Sequence, residues 1–201
     1  MTRTHYYTAT SLDGFLADAN DSLDWLLSQD VDDEGPFGYK EFIAGVGAMV
    51  MGATTYDWVL TNHIGKGEPW PYEIPAWVMT HRDPGSFADV PGADVRFAAG
   101  DVRAVHAALT EAAGDRDVWV VGGGDLAAQF ALAGLLDDLT VSIAPVTLGA
   151  GRPLFPAPST SASPPRPATA PSSAPTTKSW APAPGSSPPC AKERRGHACP
   201  V

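Results

Sequence analysis

Apolar and β-branched residues gather in short runs of strand length along the first part of the chain. Turn-forming residues such as glycine, proline and aspartate follow these runs, which favours strands that end in tight turns. The predicted strands are Thr4–Thr10, Ala48–Gly52, Ala76–Thr80, Val118–Val121 and Leu139–Leu148, the last interrupted at Pro145.

Between these runs, apolar residues recur at helical spacing. Val102, Val105 and Leu109 share one helical face, for example, and Gly114 follows as a stop signal. Strands that alternate with helices predict an α/β fold with a layered sheet, and the uninterrupted apolar run at Val118–Val121 is typical of a buried parallel strand. The predicted helices are Phe37–Gly45, Thr54–Leu60 with a threonine as N-cap, Val102–Ala113 and Asp125–Leu136.

The pattern stops near Phe155. The segment from Pro156 to Val201 holds 12 of the 20 prolines and follows neither a strand nor a helix period. Such a segment buries too little apolar surface to offset its ordering entropy, so we predict a domain over residues 1–155 and a disordered tail over residues 156–201. A reading-frame slip in the gene is the favoured explanation of the sudden change, and a genuine disordered tail is the alternative.

Charge and composition restrict the function further. The first 155 residues carry 22 Asp and Glu against 8 Lys and Arg, and an acidic surface of this kind repels nucleic acid and anionic membranes. We therefore expect no nucleic-acid or membrane partner for this domain. No apolar run approaches the roughly 20 residues that span a bilayer, and the N-terminus lacks a signal-peptide pattern, which predicts a cytoplasmic protein. The two cysteines and five histidines show no metal-ligand spacing, so no metal site is predicted.

Three consecutive glycines lie between the strand Val118–Val121 and the next helix. Glycines let backbone N–H groups approach a ligand closely, and a helix N-terminus offers unpaired donors and a positive partial charge. Gly122–Gly124 could therefore hold a diphosphate, or could be a plain tight turn. The segment matches neither the dinucleotide fingerprint nor the phosphate-loop motif.

Five segments together resemble a known superfamily. They are SLDGFLA (Ser11–Ala17), VMGATTYDW (Val50–Trp58), VMTHR (Val78–Arg82), VVGGGDLAAQF (Val120–Phe130) and TLGAGRPLF (Thr147–Phe155). Their order and spacing resemble the dihydrofolate reductase-like superfamily, and in detail the reductase domain of the bifunctional riboflavin deaminase-reductase, the RibD C-terminal family. The resemblance implies a three-layer α/β fold around a mostly parallel sheet. It also implies two further antiparallel edge strands, which are expected to be missing here, and a homodimer.

The resemblance also implies an NADPH site. Family members commonly carry an arginine directly after the glycine of the MG motif, whereas this chain has Ala53 there. Arg82 could supply the charge instead, which favours NADPH and leaves NADH or a flavin open. The implied cofactor-binding residues are Ala9, Leu16, Gly52, Thr54, Thr55, Thr80, His81, Arg82, Gly122, Gly123, Gly124, Asp125 and Leu126.

The substrate side is less determined. Asp13 is the candidate catalytic residue, for orienting the substrate or relaying a proton, and the alternative is a turn aspartate bonded to its own backbone. Trp25, Tyr39 and Phe42 are candidate substrate walls, although aromatic residues at such spacing also form plain core. No acid is clearly placed to match the pterin-binding carboxylate, so dihydrofolate is not expected.

The resemblance therefore implies an NADPH-dependent reductase that transfers a hydride to a small heterocyclic substrate. The most similar known activity is that of 5-amino-6-(5-phosphoribosylamino)uracil reductase in riboflavin biosynthesis. The alternative is an inactive or nucleotide-binding-only member of the same superfamily.

Overall fold

The computed structural model describes residues 2–29, 37–87 and 90–156, and the backbone of residues 176–179. Nine strands lie in these residues, and their bounds follow the apolar runs of the sequence closely. The strands are β1 (Thr4–Ser11), β2 (Phe15–Ala17), β3 (Val46–Gly52), β4 (Ala76–Met79), β5 (Val95–Ala98), β6 (Asp117–Val121), β7 (Asp138–Ala144), β8 (Arg152–Pro153) and β9 (Thr176–Ser179).

Seven of these strands form one sheet in the order β5-β4-β3-β6-β1-β7-β9. Every neighbouring pair is parallel, with Tyr6 opposite Val120 on one side and Leu139 on the other. Because the strands are parallel, their carboxyl ends all lie at the same edge of the sheet. Around β1, β3 and β6 the order of the strands in the sheet reverses relative to their order in the chain. Open α/β sheets bind their ligands at the carboxyl edge beside such a reversal.

Helices cover both faces of the sheet. Five α-helices lie in the described residues: α1 (Asp24–Leu27), α2 (Tyr39–Ala44), α3 (Ala53–Asn62), α4 (Val102–Ala113) and α5 (Gly124–Leu132). Two short 3₁₀ turns occur at Ile64–Lys66 and Pro84–Ser86.

Alternate strand residues supply two separate cores, as the period of two in a strand requires. Tyr6, Val118 and Val120 pack with α4 and α5, whereas Tyr7 and Trp119 pack with α2 and α3. Trp119 is completely buried, and its indole N–H donates to Tyr7 O over 3.1 Å. The fold is the predicted three-layer α/β sandwich.

Helix ends differ from the prediction in two places. The N-cap of α3 is Gly52 and no side chain caps it, so the predicted threonine cap is wrong. The predicted helix Asp125–Leu136 ends earlier, at Leu132, because the chain reverses after Ala133 through Gly134 at φ +70°. The helix α4 is as predicted, with Asp101 as a side-chain N-cap.

The end of the chain corrects another expectation. Backbone residues Thr176–Ser179 form β9, which pairs in parallel with Thr140–Ile143 of β7, although no strand was expected after Phe155. The segment reads TTKS, without the apolar alternation on which strand prediction depends. The rest of the predicted disordered tail lies outside the described residues, and the domain boundary at residue 155 stays a prediction. Within the described residues, β7 has no antiparallel partner.

A second sheet of two short strands lies beside the seven-stranded sheet and joins two segments that are distant in the sequence. Strand β2 pairs antiparallel with β8, and Leu154 N donates to Gly14 O over 2.9 Å. Gly151 lies so close to Ala17 that a Cβ there would be 2.0 Å from the Ala17 carbonyl oxygen. Strands this short carry no readable periodicity, and both β2 and β8 were absent from the sequence prediction, as were α1 and β5. No helix in the described residues is long and apolar enough to cross a membrane.

Candidate cofactor and substrate site

A groove with two connected cavities runs along the carboxyl edge of the sheet. The first cavity, of about 260 Å³, lies between β1, β2, α1, α3 and the glycine turn. The second, of about 270 Å³, lies between α3, the end of β4 and α5. Thr54, Thr55, Gly123 and Asp125 line both cavities, so the two form one elongated groove. An extended dinucleotide needs a site of this shape.

The groove gathers almost the whole predicted cofactor set. Twelve of the thirteen predicted residues line one or both cavities, and Arg82 is the exception. Ala9, Leu16, Gly122 and Gly124 line the first cavity only, whereas Gly52, Thr80, His81 and Leu126 line the second only. Their role in binding NADPH stays a prediction.

Two helix N-termini meet at the middle of the groove. The helices α3 and α5 begin directly after β3 and after the glycine turn, with Gly52 and Gly123 as their N-caps. Neither N-cap has a side-chain hydrogen bond, so the first backbone N–H groups of both helices point into the groove without a capping side chain. Both macrodipoles place positive partial charge there, which suits an anionic ligand.

The three glycines of the turn do different things. Gly122 adopts φ +67°, and a Cβ there would lie 2.4 Å from Thr55 Oγ1. Gly124 abuts the backbone of β8 and Leu154, where a Cβ would lie 2.4 Å from Leu154 O. Gly123 is exposed and has nothing within 4 Å of an added Cβ. The glycines on either side therefore allow close packing, and only Gly123 leaves open space for a ligand.

Arg82 lies beside Ala53 and lines neither cavity. Its guanidinium Nη2 is 3.5 Å from Ala53 O and 2.7 Å from Asp57 Oδ2. The guanidinium carbon also sits 4.5 Å from the centre of the Phe87 ring. The arginine is thus next to the position that the resemblance associates with a phosphate-binding arginine, although Asp57 neutralises part of its charge.

Asp13 bridges two loops and does not line either cavity. Its carboxylate accepts hydrogen bonds from the Ser11 hydroxyl (2.6 Å) and from the backbone N–H groups of Gly149 (2.7 Å) and Leu148 (3.1 Å). The bond from Ser11, followed by that from Gly149, lowers the pKa of Asp13 to about 2. A carboxylate with this pKa is ionised near neutral pH and donates no proton, so the geometry gives Asp13 a structural task. Its predicted catalytic role stays untested.

The predicted aromatic walls lie away from the two cavities. Phe42 stacks on Tyr7 with ring centres 4.3 Å apart, and Tyr39 lies 5.9 Å from the Trp119 ring, so both extend the core on the α2 and α3 side. Trp25 is in α1, and its indole N–H is buried without a hydrogen-bond partner among the described residues. These contacts favour the core alternative for Tyr39 and Phe42.

Sequence reasoning missed several residues that line the first cavity. Leu23, Leu26 and Trp58 give it an apolar wall, and Asp21 and Arg152 form an ion pair at its mouth. Arg152 lies inside the quoted segment TLGAGRPLF, and Trp58 ends VMGATTYDW, so both could have been marked as candidates. Leu23 and Leu26 could not, because a one-turn helix has no recognisable period. No cluster of three potential metal ligands occurs in the part of the chain that the structure describes.

Comparison with known proteins identifies the family. A family model described as the RibD C-terminal domain matches residues 5–168. The chain belongs to the RibD C-terminal domain family. The uncharacterized protein YwjB of Bacillus subtilis (strain 168) is 32% identical over 154 residues, which cover 76% of this chain and 82% of the relative.

Solved structures of similar RibD proteins agree with the fold. A candidate riboflavin biosynthesis protein from Shewanella sp. PV-4 is 29% identical with a TM-score of 0.62, covering 78% of this chain and 84% of that chain. The diaminohydroxyphosphoribosylaminopyrimidine deaminase/5-amino-6-(5-phosphoribosylamino)uracil reductase of Thermotoga maritima is 17% identical with a TM-score of 0.53, covering 81% of this chain and 51% of that chain. The chain is therefore a RibD C-terminal domain that shares the α/β fold of these two structures.

Proposed function

We propose that this protein is an NADPH-dependent reductase that transfers a hydride to a small heterocyclic substrate. The observation that carries the proposal is the meeting of two uncapped helix N-termini, those of α3 and α5, in one groove at the carboxyl edge of the sheet. Membership of the RibD C-terminal domain family and a fold similar to that of a deaminase/5-amino-6-(5-phosphoribosylamino)uracil reductase support it.

The groove fits a dinucleotide on physical grounds. The backbone donors beside Gly52 and Gly123 would hold the diphosphate, and Gly123 leaves room for its oxygens. Thr80 and His81 would lie at the adenosine end and Arg82 beside its ribose, while Ala9 and Leu16 would flank the nicotinamide in the first cavity. The preference for NADPH over NADH depends on the charge of Arg82.

The protein's part in such a reaction would be to position the reactants and to exclude water. When bound, NADPH supplies the hydride with both electrons, and a proton from solvent completes the reduction. Leu23, Leu26 and Trp58 would hold a flat substrate in the first cavity and exclude water from one side of it. Proximity and orientation of this kind can contribute about 7–11 kcal/mol where the geometry is good.

A thermal melt with and without dinucleotide tests the proposal. NADPH at 100 times its dissociation constant adds about 2.7 kcal/mol to the free energy of unfolding, which raises the Tm by about 5–11 °C. We expect a larger rise with NADPH than with NADH. A melt that neither dinucleotide shifts would refute the cofactor assignment, and a shift without NADPH oxidation across a panel of heterocycles would favour the nucleotide-binding-only alternative.

Two threonines of α3 provide a matched pair of variants. Thr54 is exposed in the first turn and lines both cavities, whereas Thr61 is exposed at the other end of the same helix. Thr54→Glu places a carboxylate where the diphosphate would bind and suits the helix dipole, so the fold should survive and the NADPH-induced shift should vanish. Thr61→Glu makes the same chemical change and should keep the shift.

A further inference from the structure

The charged side chains on the first cavity are dominated by carboxylates. Among the described residues that line it, Asp21, Asp125 and Arg152 carry formal charges, so one cation faces two anions. The other side chains on its walls are threonines and apolar groups, chiefly Leu16, Leu26 and Trp58. An uncharged ring could lie against this apolar surface while threonine hydroxyls bond its polar edge.

The one guanidinium already has a partner. Arg152 Nη2 donates to Asp21 Oδ2 over 2.9 Å, and Nε donates to Oδ1, which makes a two-point ion pair across the mouth of the cavity. The hydrogen bond from Arg152 lowers the pKa of Asp21, so this carboxylate is ionised wherever the protein is folded near neutral pH. An anionic ligand would meet a guanidinium whose charge Asp21 already offsets, and it could not bond Nε unless it displaced Asp21.

The net charge of the domain acts in the same direction as the cavity carboxylates. The domain as a whole is strongly acidic, with 22 Asp and Glu against 8 Lys and Arg in the first 155 residues. Long-range and local electrostatics therefore act in the same direction against a second anion beside the cofactor.

We infer that the substrate of this reductase is a small, uncharged ring compound without a phosphate group. The inference rests on the proposed reductase function and deepens it. The inferred substrate differs from that of the Thermotoga maritima protein, whose named substrate carries a phosphoribosyl group. In this cavity the apolar wall selects the ring and the ion pair between Asp21 and Arg152 rejects a phosphate.

The test uses two probes that differ only in phosphate: 5-amino-6-(5-phosphoribosylamino)uracil and its dephosphorylated ribosylamino counterpart. Each is titrated by calorimetry into the full chain saturated with NADP⁺, which binds without turnover. NADP⁺ binding is measured first, so its absence would count against the proposed function and not against the choice of substrate. We expect the phosphorylated probe to bind at least about tenfold more weakly than its counterpart.

Asp21→Asn makes the test independent of how well the ring itself fits. Asparagine tolerates the left-handed backbone at residue 21 (φ +59°) and releases Arg152, so affinity for the phosphorylated probe should rise at least about tenfold while that for its counterpart stays the same. Asp94→Asn removes a carboxylate from another exposed pair, that with Arg96 on β5, and should change neither affinity.

Three results would overturn the inference. Wild-type protein could bind the phosphorylated probe as tightly as its counterpart or more tightly. Asp21→Asn could give no gain for the phosphorylated probe, including the case in which neither probe binds. Asp94→Asn could give the same gain as Asp21→Asn, which would assign the effect to overall charge and not to the cavity.

Discussion

Replacing Gly124 with alanine tests whether the glycine turn is set by packing. Gly124 begins α5 and is buried against β8, and an added Cβ would lie 2.4 Å from Leu154 O and 2.5 Å from Pro153 O. Real Cβ atoms do not approach backbone oxygens this closely, and both oxygens belong to main chain that cannot rotate away. Either the start of α5 or the β8 segment must therefore move.

The size of the effect follows from two opposing contributions. Overpacking of a close-packed site costs about 1–3 kcal/mol and sometimes more. Alanine gains up to about 1 kcal/mol over glycine in a helix, and less than that at its first residue. We expect Gly124→Ala to lower the free energy of unfolding by about 2 kcal/mol, which lowers the Tm of a domain this size by about 4–8 °C.

Thermal and urea unfolding of the full chain measure the effect. Gly45→Ala is the control, because a Cβ there meets only Phe42 O at an ordinary 3.5 Å, and Gly45 lies at the amino end of β3 away from the groove. It should leave the Tm within about 2 °C of wild type. A Gly124→Ala protein as stable as Gly45→Ala would refute the packing argument and leave ligand approach as the reason for this glycine.

Three further substitutions separate structural from binding roles. Asp13→Asn should lower the Tm at pH 7. The difference in Tm from wild type should close as the pH falls from about 4 to about 2, because a carboxylate whose pKa is lowered in the folded protein stabilises the fold only while it is ionised. A difference that persists at pH 2 would contradict this. Arg82→Gln should weaken NADPH about tenfold relative to NADH in calorimetry, and equal losses would remove Arg82 from the 2′-phosphate. Phe42→Ala should cost about 2–3 kcal/mol in urea unfolding with KM unchanged, because its ring stacks on Tyr7, and a raised KM in a stable protein would restore it as a substrate wall.

The sequence predicts the main strands of this fold well because they have strong local signals. The runs at β3 and β6 are buried on both faces, so they are apolar throughout and easily recognised. Most residues that the resemblance implies for the cofactor follow the carboxyl ends of such strands, and a parallel sheet brings those ends together. The positions of the strands therefore determine where most of the groove lies.

The substrate side is harder to predict because loops from distant parts of the chain build it. Arg152 and Asp21 form an ion pair although they are 131 residues apart in the sequence. Asp13 accepts hydrogen bonds from Leu148 and Gly149 across a similar separation. No local pattern encodes such pairs. Tyr39 and Phe42 are hard to assign for another reason, because helical spacing places them on one face but does not say whether that face meets a ligand or the sheet.

The proposed binding of a polyanion by an acidic protein needs an explanation, and the groove offers one. The negative charges of the first 155 residues act at long range and are screened beyond roughly 10 Å at 0.1 M salt. The backbone donors at the start of α3 and α5 would act on the proposed dinucleotide at contact distance, where screening is weak. In the proposed complex, net charge would govern how fast a dinucleotide arrives, and the two helix ends would govern whether it stays. The first cavity shares these helix starts with the second, but Asp21 and Asp125 on its walls add negative charge that opposes a second phosphate there.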